Sequence, residues 1–250
     1  MDIAHFLFGI FGNATALFLF LAPMITFKRI IWHKSTEDFS GIPYVMTLLN
    51  CLLSAWYGLP FVSPNNMLVS TINGTGAAIE FIYVVIYIIY APKKEKAKIS
   101  GLLMFVLTVF STVALVSIFA LHGKSRKLFC GFAATIFSII MYASPLSIMR
   151  TVIRTKSVEF MPFFLSLFVF LCGTSWFVFG LLGHDPFVSV PNGFGCGLGA
   201  VQLILYFIFR DNKGGPKKPT TVESVEVGLP KIHPQEQKST ANGSALQGHD

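Results

Sequence analysis

Two asparagines lie in apolar sequence where polar side chains are rare. Asn73 and Asn192 each begin an Asn-Gly-x-Gly sequence, NGTG and NGFG, inside a long apolar run. A carboxamide left unpaired in hydrocarbon costs several kcal/mol, so each asparagine needs a partner. Either it joins helices, as membrane asparagines commonly do, or it donates to and accepts from the hydroxyl groups of a bound solute. Asn-Gly-Thr also matches a glycosylation sequon, but its depth in a span excludes that modification.

Glycines surround both asparagines: Gly74, Gly76, Gly193, Gly195, Gly197 and Gly199. Small residues let membrane helices approach closely. We therefore expect these glycines to be packing residues. The same narrow helix surface would also leave room for a ligand, and the sequence does not separate the two interpretations.

The elements that carry these residues are membrane spans. Charged residues make up 12% of the 250 residues, against about 25% in soluble domains, and the mean hydropathy is +0.65. Apolar runs near the length that crosses a bilayer predict an all-α membrane protein with seven spans. We place them at about 6–27, 43–62, 68–91, 100–121, 128–149, 163–183 and 187–209.

The net charge of +7 orients the chain and does not indicate a nucleic-acid partner. Sixteen lysines and arginines fall in the first, third and fifth loops and the C-terminal tail, and the other side holds only Lys124, Arg126 and Lys127. Basic residues concentrate on the cytosolic side of membranes. The sequence therefore predicts an extracellular N-terminus and a cytosolic C-terminus.

The spans repeat. FLAPMITFKRI (20–30) matches YASPLSIMRTV (142–152), and AWYGL (55–59) matches WFVFGL (176–181). The offset is 122 residues at these anchors and 119 at the asparagines. Spans 1–3 thus recur as spans 5–7, and the single span between them keeps the two halves parallel. We predict two triple-helix repeats, 1–98 and 128–210, a linker span with its outer loop, 99–127, and a disordered cytosolic tail, 211–250.

Four prolines occupy matching places in the two halves. Pro23 and Pro145 fall toward the cytosolic ends of spans 1 and 5, where proline kinks a helix because it removes a hydrogen bond and clashes with the carbonyl four residues earlier. Pro43 and Pro162 fall at the starts of spans 2 and 6, where proline also serves simply to begin a helix.

These motifs in combination resemble the plant SWEET sugar transporters over roughly residues 5–210. The resemblance rests on GNATALFLFLAP, KSTEDFSGIPY, SAWYGLPFV, NGTG, ASPLSIMR, KSVEFMPF and PNGFG. It implies that Asn73 and Asn192 bind sugar and that Ser54 and Trp176, 122 residues apart, line the same pocket. It also implies that Pro23, Pro43, Pro145 and Pro162 form a hinge and intracellular gate. Tyr57 and Asp185 would be an extracellular latch.

For Trp176 two interpretations stand. An aromatic ring in a pocket can receive the apolar face of a sugar while its hydroxyls bond elsewhere, whereas tryptophan also anchors helices at the membrane surface. Its position 16 residues before Asn192, in mid-span, favours the pocket.

The residues and the resemblance together indicate a facilitative uniporter that moves glucose or a related hexose in both directions by alternating access. Glu80 is the clear ionisable residue within the spans, and a lone carboxylate makes a poor proton relay. We expect it to pair with a local Ser, Thr or backbone group, or to tie the halves together.

The alternatives are a seven-span receptor and a membrane scaffold protein. An enzyme is not expected, because the histidines lie in loops, at span ends or in the tail, and no phosphate-binding loop is present. No cofactor or metal is expected, and the four cysteines, without CxxC spacing, are interpreted as buried thiols. The resemblance further implies the plasma membrane, contact with membrane lipid and homo-oligomers.

Overall fold

The computed structural model describes residues 3–210, apart from the side chain of Ser144, and all regular secondary structure in that part of the chain is helical. The predicted tail, 211–250, lies outside the described residues. The helices are α1 (Ile3–Leu21), α2 (Met24–His33), α3 (Ile42–Tyr57), α4 (Met67–Tyr90), α5 (Lys93–Phe119), α6 (Gly123–Met141), α7 (Ala143–Thr155), α8 (Phe163–Leu182) and α9 (Pro186–Phe209).

These helices form seven spans, as predicted. Six helical stretches are long and apolar enough to cross a membrane, and two of them join consecutive helices, α1 with α2 and α6 with α7. The seventh span is the shorter apolar helix α3, whose 16 residues extend about 24 Å. The all-α architecture is confirmed: two three-span halves, α1–α4 and α6–α9, are joined by the linker helix α5.

Some predicted boundaries were wrong. Span 2 ends at Tyr57 and not near residue 62, because residues 58–66 fold into turns that lead into α4. Span 4 begins at Lys93 and not at residue 100, because a lysine-rich first turn is still helical. Hydropathy locates apolar residues, whereas helices continue into polar sequence at the membrane surface.

The two halves interlock through their first helices. In each half the second and third spans pack closely, α3 with α4 and α8 with α9. The first span of each half packs on the second span of the other, α1 on α8 and α6 on α3. Close approach is built into the sequence: a Cβ on Gly173 of α8 would lie 2.7 Å from the backbone nitrogen of Cys196 on α9. Because α1 packs on α8 and α6 packs on α3, the interface between the halves contains side chains from both repeats.

The bundle has two ends that matter for function. Tyr57 and Asp185 lie together at one end, which we call the latch end, and His5 stacks on Phe179 near the same end, with ring centroids 3.9 Å apart. We call the opposite end the proline end. There α1 and α6 terminate and α3 and α8 begin, so successive spans run antiparallel between the two ends.

Not all the glycines are packing residues. Gly76, Gly195 and Gly199 leave no room for a Cβ, because Phe20, the Tyr142 hydroxyl and the backbone of Phe170 lie within 3 Å of its position. Gly74 and Gly197, by contrast, face open space, with nothing within 4 Å of an added Cβ. For these two the packing expectation was wrong, because they point away from the neighbouring helices.

Candidate functional site

A cavity of about 240 Å³ lies between the two halves, and the predicted binding residues line it. Asn73 comes from α4 and Asn192 from α9, at matching positions of the repeat. Ser54 of α3 and Trp176 of α8 lie on the same cavity. Four residues that are up to 138 positions apart in the chain are thus brought together, as the family resemblance implies.

The two asparagines are held in the same way. Each side-chain amide donates to the backbone carbonyl four residues earlier, Asn73 to Val69 at 2.9 Å and Asn192 to Val188 at 2.8 Å. A carboxamide has a second N–H and an oxygen acceptor, so these remain available on the cavity side. The local bond fixes the orientation of each amide without using its full hydrogen-bonding capacity.

The cavity wall is otherwise largely apolar. Of the described residues that line it, none carries a charge. Glu80 does not line it; this residue is buried in the first half, and its Oε2 atom has no hydrogen-bond partner among residues 3–210, nor has the nearby Tyr44 hydroxyl. The expected pairing of that Glu80 oxygen with a Ser, Thr or backbone group is therefore not observed.

Sequence reasoning missed a second polar pair in the cavity. The Ser138 hydroxyl of α6 donates to Oδ1 of Asn50 on α3 at 2.7 Å, and both residues line the cavity. Asn50 lies one helical turn before Ser54, so the i, i+4 spacing was the available signal. Its counterpart in the second half is Cys172, also in the cavity wall. The counterpart of Ser138 in the first half is Ala16, also in the cavity wall, so each half contributes one residue to this pair and its polar atoms lie on the α3–α6 side of the cavity.

The two residues predicted as a latch, Tyr57 and Asp185, are in contact. The Tyr57 hydroxyl contacts both carboxylate oxygens of Asp185, at 2.8 and 2.6 Å, and both residues are buried. Tyr57 is the last residue of α3 and also lines the cavity. Asp185 caps the start of α9 by accepting from the Phe187 backbone N–H at 3.0 Å. The latch therefore joins the two halves directly above the cavity.

The latch has more members than the sequence indicated. The Asn66 amide donates to Asp185 at 2.7 Å, the Ser63 hydroxyl at 3.3 Å, and the Lys127 ammonium of α6 lies 3.1 Å away. Burial alone would raise the pKa of Asp185. The bonds from Tyr57, Lys127 and Asn66 outweigh it and hold the pKa below its ordinary value. Lys127 is one of the three basic residues that the sequence places on the predicted extracellular side of the membrane, and this was the available signal for its role.

The four prolines stand at helix ends, and none lines the cavity. Pro43 is in the first turn of α3 and Pro162 immediately precedes α8. Pro23 lies in a two-residue break between α1 and α2, so span 1 is interrupted and not merely bent. In span 5 the interruption falls at Tyr142, and Pro145 sits in the first turn of α7, which is a position proline tolerates.

A fifth proline, Pro191, lies inside α9 next to Asn192 and lines the cavity. Proline leaves the carbonyl four residues earlier without its helical donor, here that of Phe187. The Thr135 hydroxyl of α6 donates to this carbonyl at 3.3 Å, and the Tyr142 hydroxyl donates to the carbonyl of Pro191 at 2.8 Å. Hydroxyls from neighbouring helices thus support the backbone at the proline, as membrane helices require.

Comparison with known proteins gives a consistent set of relatives. The family described as "Sugar efflux transporter for intercellular exchange" matches residues 6–95 and 128–214. The chain is 78% identical over 214 residues to the bidirectional sugar transporter SWEET1 of Arabidopsis thaliana, covering 86% of this chain and 87% of that protein. It is 70% identical over 212 residues to SWEET1a of Oryza sativa subsp. japonica, covering 85% of this chain and 78% of that one.

A solved structure is also similar. The chain matches that of a eukaryotic SWEET transporter, determined at 3.7 Å, with a TM-score of 0.82 and 48% sequence identity. The match covers 84% of this chain and 99% of the solved one.

Proposed function

Because the chain belongs to the SWEET family of sugar efflux transporters, we propose that it is a bidirectional facilitative transporter of glucose and related hexoses. The observation that carries this proposal is the placement of Asn73 and Asn192 on one cavity between the two halves. Substrate sites of repeat transporters lie at such an interface. The receptor and scaffold alternatives offer no reason for two repeat-matched amides to face a common cavity.

The chemistry of the cavity supports a neutral, hydroxylated substrate. The amides of Asn73 and Asn192 can each donate to and accept from a hydroxyl group, and the ring of Trp176 supplies an apolar surface for the C–H face of a sugar. Asn50 and Ser138 add polar atoms on one side only. The cavity of about 240 Å³ is below the roughly 300–1,000 Å³ of drug-sized pockets, which favours a monosaccharide over a disaccharide.

The same cavity supports uniport over proton coupling. Ionisable residues within spans commonly mark ion pathways, yet Glu80 lies away from the cavity and the described lining holds no charge. A neutral solute that moves down its own gradient needs no such residue. We further propose that the protein acts as a homo-oligomer in the plasma membrane, with an extracellular N-terminus, and that the units 1–98 and 128–210 move against each other.

Uptake into proteoliposomes tests the substrate and its site. Wild-type protein should equilibrate radiolabelled glucose faster than sucrose, and Asn73→Ala and Asn192→Ala should each lower glucose uptake to background. Loss of one hydrogen bond to an uncharged ligand costs about 0.5–1.5 kcal/mol, and more where a buried partner is left unpaired. Thr75→Ala is the matched control, because Thr75 bonds a carbonyl four residues earlier on the same helix but is exposed.

Expression in the membrane must be equal for all variants. If both asparagine variants transport glucose at the wild-type rate, the amides only join helices and the sugar site lies elsewhere. If the wild type equilibrates no member of a panel of hexoses, pentoses and disaccharides, the transport proposal itself fails.

A further inference from the structure

The break in span 1 leaves a backbone carbonyl that α4 holds. Carbonyls in the last turn of a helix have no partner within that helix. At the end of α1 the Ala22 N–H donates to the carbonyls of Phe18 and Leu19, at 3.0 and 3.3 Å. The next carbonyl, that of Phe20, accepts the hydroxyl of Tyr83 at 3.0 Å. A side chain of the third span thus bonds the backbone immediately before the Pro23 break.

The same tyrosine holds the other side of the break. The ring of Tyr83 stacks on Phe27 of α2 with centroids 4.3 Å apart and 9° between the planes. Both rings are buried, with 4% and 2% of their surfaces exposed. One side chain on α4 therefore contacts α1 through its hydroxyl and α2 through its ring.

The second half does not use this device. The position that matches Phe20 is Tyr142, whose carbonyl accepts the Leu146 backbone N–H at 3.2 Å, so the backbone itself bridges the interruption. The position that matches Tyr83 is Gln202. The two halves therefore fix their broken first spans differently, by a tyrosine in the first half and by a backbone bond in the second.

We propose that Tyr83 is a positioning residue for alternating access: it clamps the α1–α2 break in the conformation whose latch end is closed, and it releases the Phe20 carbonyl when the latch end opens. The inference rests on the proposed transport function, since it assigns a residue to the conformational cycle. The closed Tyr57–Asp185 contact identifies the conformation in which the clamp is formed. Removing the clamp should therefore favour the open latch end.

The test compares two tyrosine hydroxyls of one helix. Tyr83→Phe removes the bond to Phe20 and keeps the ring on Phe27. Tyr87→Phe is the matched control, because the buried Tyr87 hydroxyl, one turn further along α4, donates to the Phe39 carbonyl at 2.9 Å and does not reach the break. Phe27→Leu removes the stacked partner and should act in the same direction as Tyr83→Phe.

The readout is the distance across the latch end without sugar. Positions 67 and 182 are exposed and begin α4 and end α8; p-acetylphenylalanine at both, coupled to nitroxide labels, allows double electron–electron resonance on purified protein. Loss of one neutral hydrogen bond predicts an increase of about 2- to 12-fold in the ratio of long to short distances for Tyr83→Phe. Tyr87→Phe should leave the ratio at the wild-type value.

Two results would overturn the clamp. One is a Tyr83→Phe distribution identical to that of the wild type, and the other is an equal shift in both tyrosine variants, which would indicate general loosening of α4. Because no sugar is present, these outcomes do not depend on the proteoliposome assay. A protein that transports no sugar but shows the shift would keep the clamp and lose the transport function.

Discussion

Replacing Tyr57 by phenylalanine should open the latch end with little change in sugar affinity. The substitution keeps the ring that packs beside Phe187, at a centroid distance of 5.8 Å, and removes only the hydroxyl that contacts Asp185. It therefore separates the bond that joins the halves from the apolar wall that Tyr57 gives the cavity. Asp185→Ala would be a poorer experiment, because it also removes the cap of α9.

The magnitude follows from the other donors at the carboxylate. A hydrogen bond to a charged group contributes about 1.5–3 kcal/mol, which is about 10- to 150-fold in the ratio of closed to open states. Asn66 and Lys127 still satisfy Asp185 after the substitution, at 2.7 and 3.1 Å. The carboxylate is therefore not left unpaired, and we expect the lower limit, about tenfold.

The assay is the distance between positions 67 and 182, measured as for the clamp, together with the dissociation constant for glucose. Tyr90→Phe is the control, since Tyr90 ends α4 at the proline end, far from the latch. An increase of the long-distance fraction in Tyr57→Phe alone supports the latch. An unchanged distance distribution would refute the reasoning, and a large loss of affinity with no change in distance would make Tyr57 a binding residue only.

The remaining predictions concern pH, the prolines and the glycines. The pKa of Asp185 is lowered in the closed state, so the stabilisation by the latch is complete above the ordinary pKa of about 4 and is lost only as pH falls through the lowered value. Glucose exchange should therefore be flat between about pH 5 and 8. Exchange should also be insensitive to a protonophore. Pro23→Ala should slow glucose exchange by more than about tenfold while glucose binding survives, because a continuous span 1 would be favoured by about 3 kcal/mol. Pro145→Ala should act in the same direction. Normal turnover in both variants would show that the prolines have a structural role only. Gly173→Ala should lower the free energy of unfolding by about 1–3 kcal/mol through overpacking against Cys196, whereas Gly74→Ala should be neutral or stabilising. Thermal denaturation in detergent measures both effects. Equal melting temperatures for the two variants would contradict the close approach of α8 and α9.

The location of the cavity was predictable because the sequence repeats. Matching positions of two parallel halves lie at the same depth, and substrate sites of repeat transporters lie between the halves, so Asn73 and Asn192 were expected on a common site; both line the cavity. The latch pair was expected only from the family resemblance, and the fold agrees with it because Tyr57 and Asp185 fall at the same end of helices that run antiparallel.

What the sequence did not predict depends on side-chain direction within a helix. Asn50 and Ser138 are 88 positions apart and lack a matching partner in the repeat, so nothing in the sequence pairs them. Lys127 reaches Asp185 because α6 begins beside the start of α9, a fact of packing and not of pattern. The open space at Gly74 and Gly197 has the same origin, since identical motifs do not show which face of the helix is covered.

The differences between the halves also explain why Glu80 has no counterpart. At the matching position Gly199, an added Cβ would lie 2.8 Å from the Cα of Phe170, so α8 and α9 approach too closely for any side chain there. The matching pair, α3 and α4, is spaced to accommodate a carboxyl group and the tyrosines Tyr44 and Tyr83 around it. The first half therefore has a side-chain-filled interior next to its broken span, and the second has a glycine-packed one. Because the position that matches Tyr83 is Gln202, the tyrosine clamp belongs to the first half alone, and the two broken spans should respond unequally when their supports are removed.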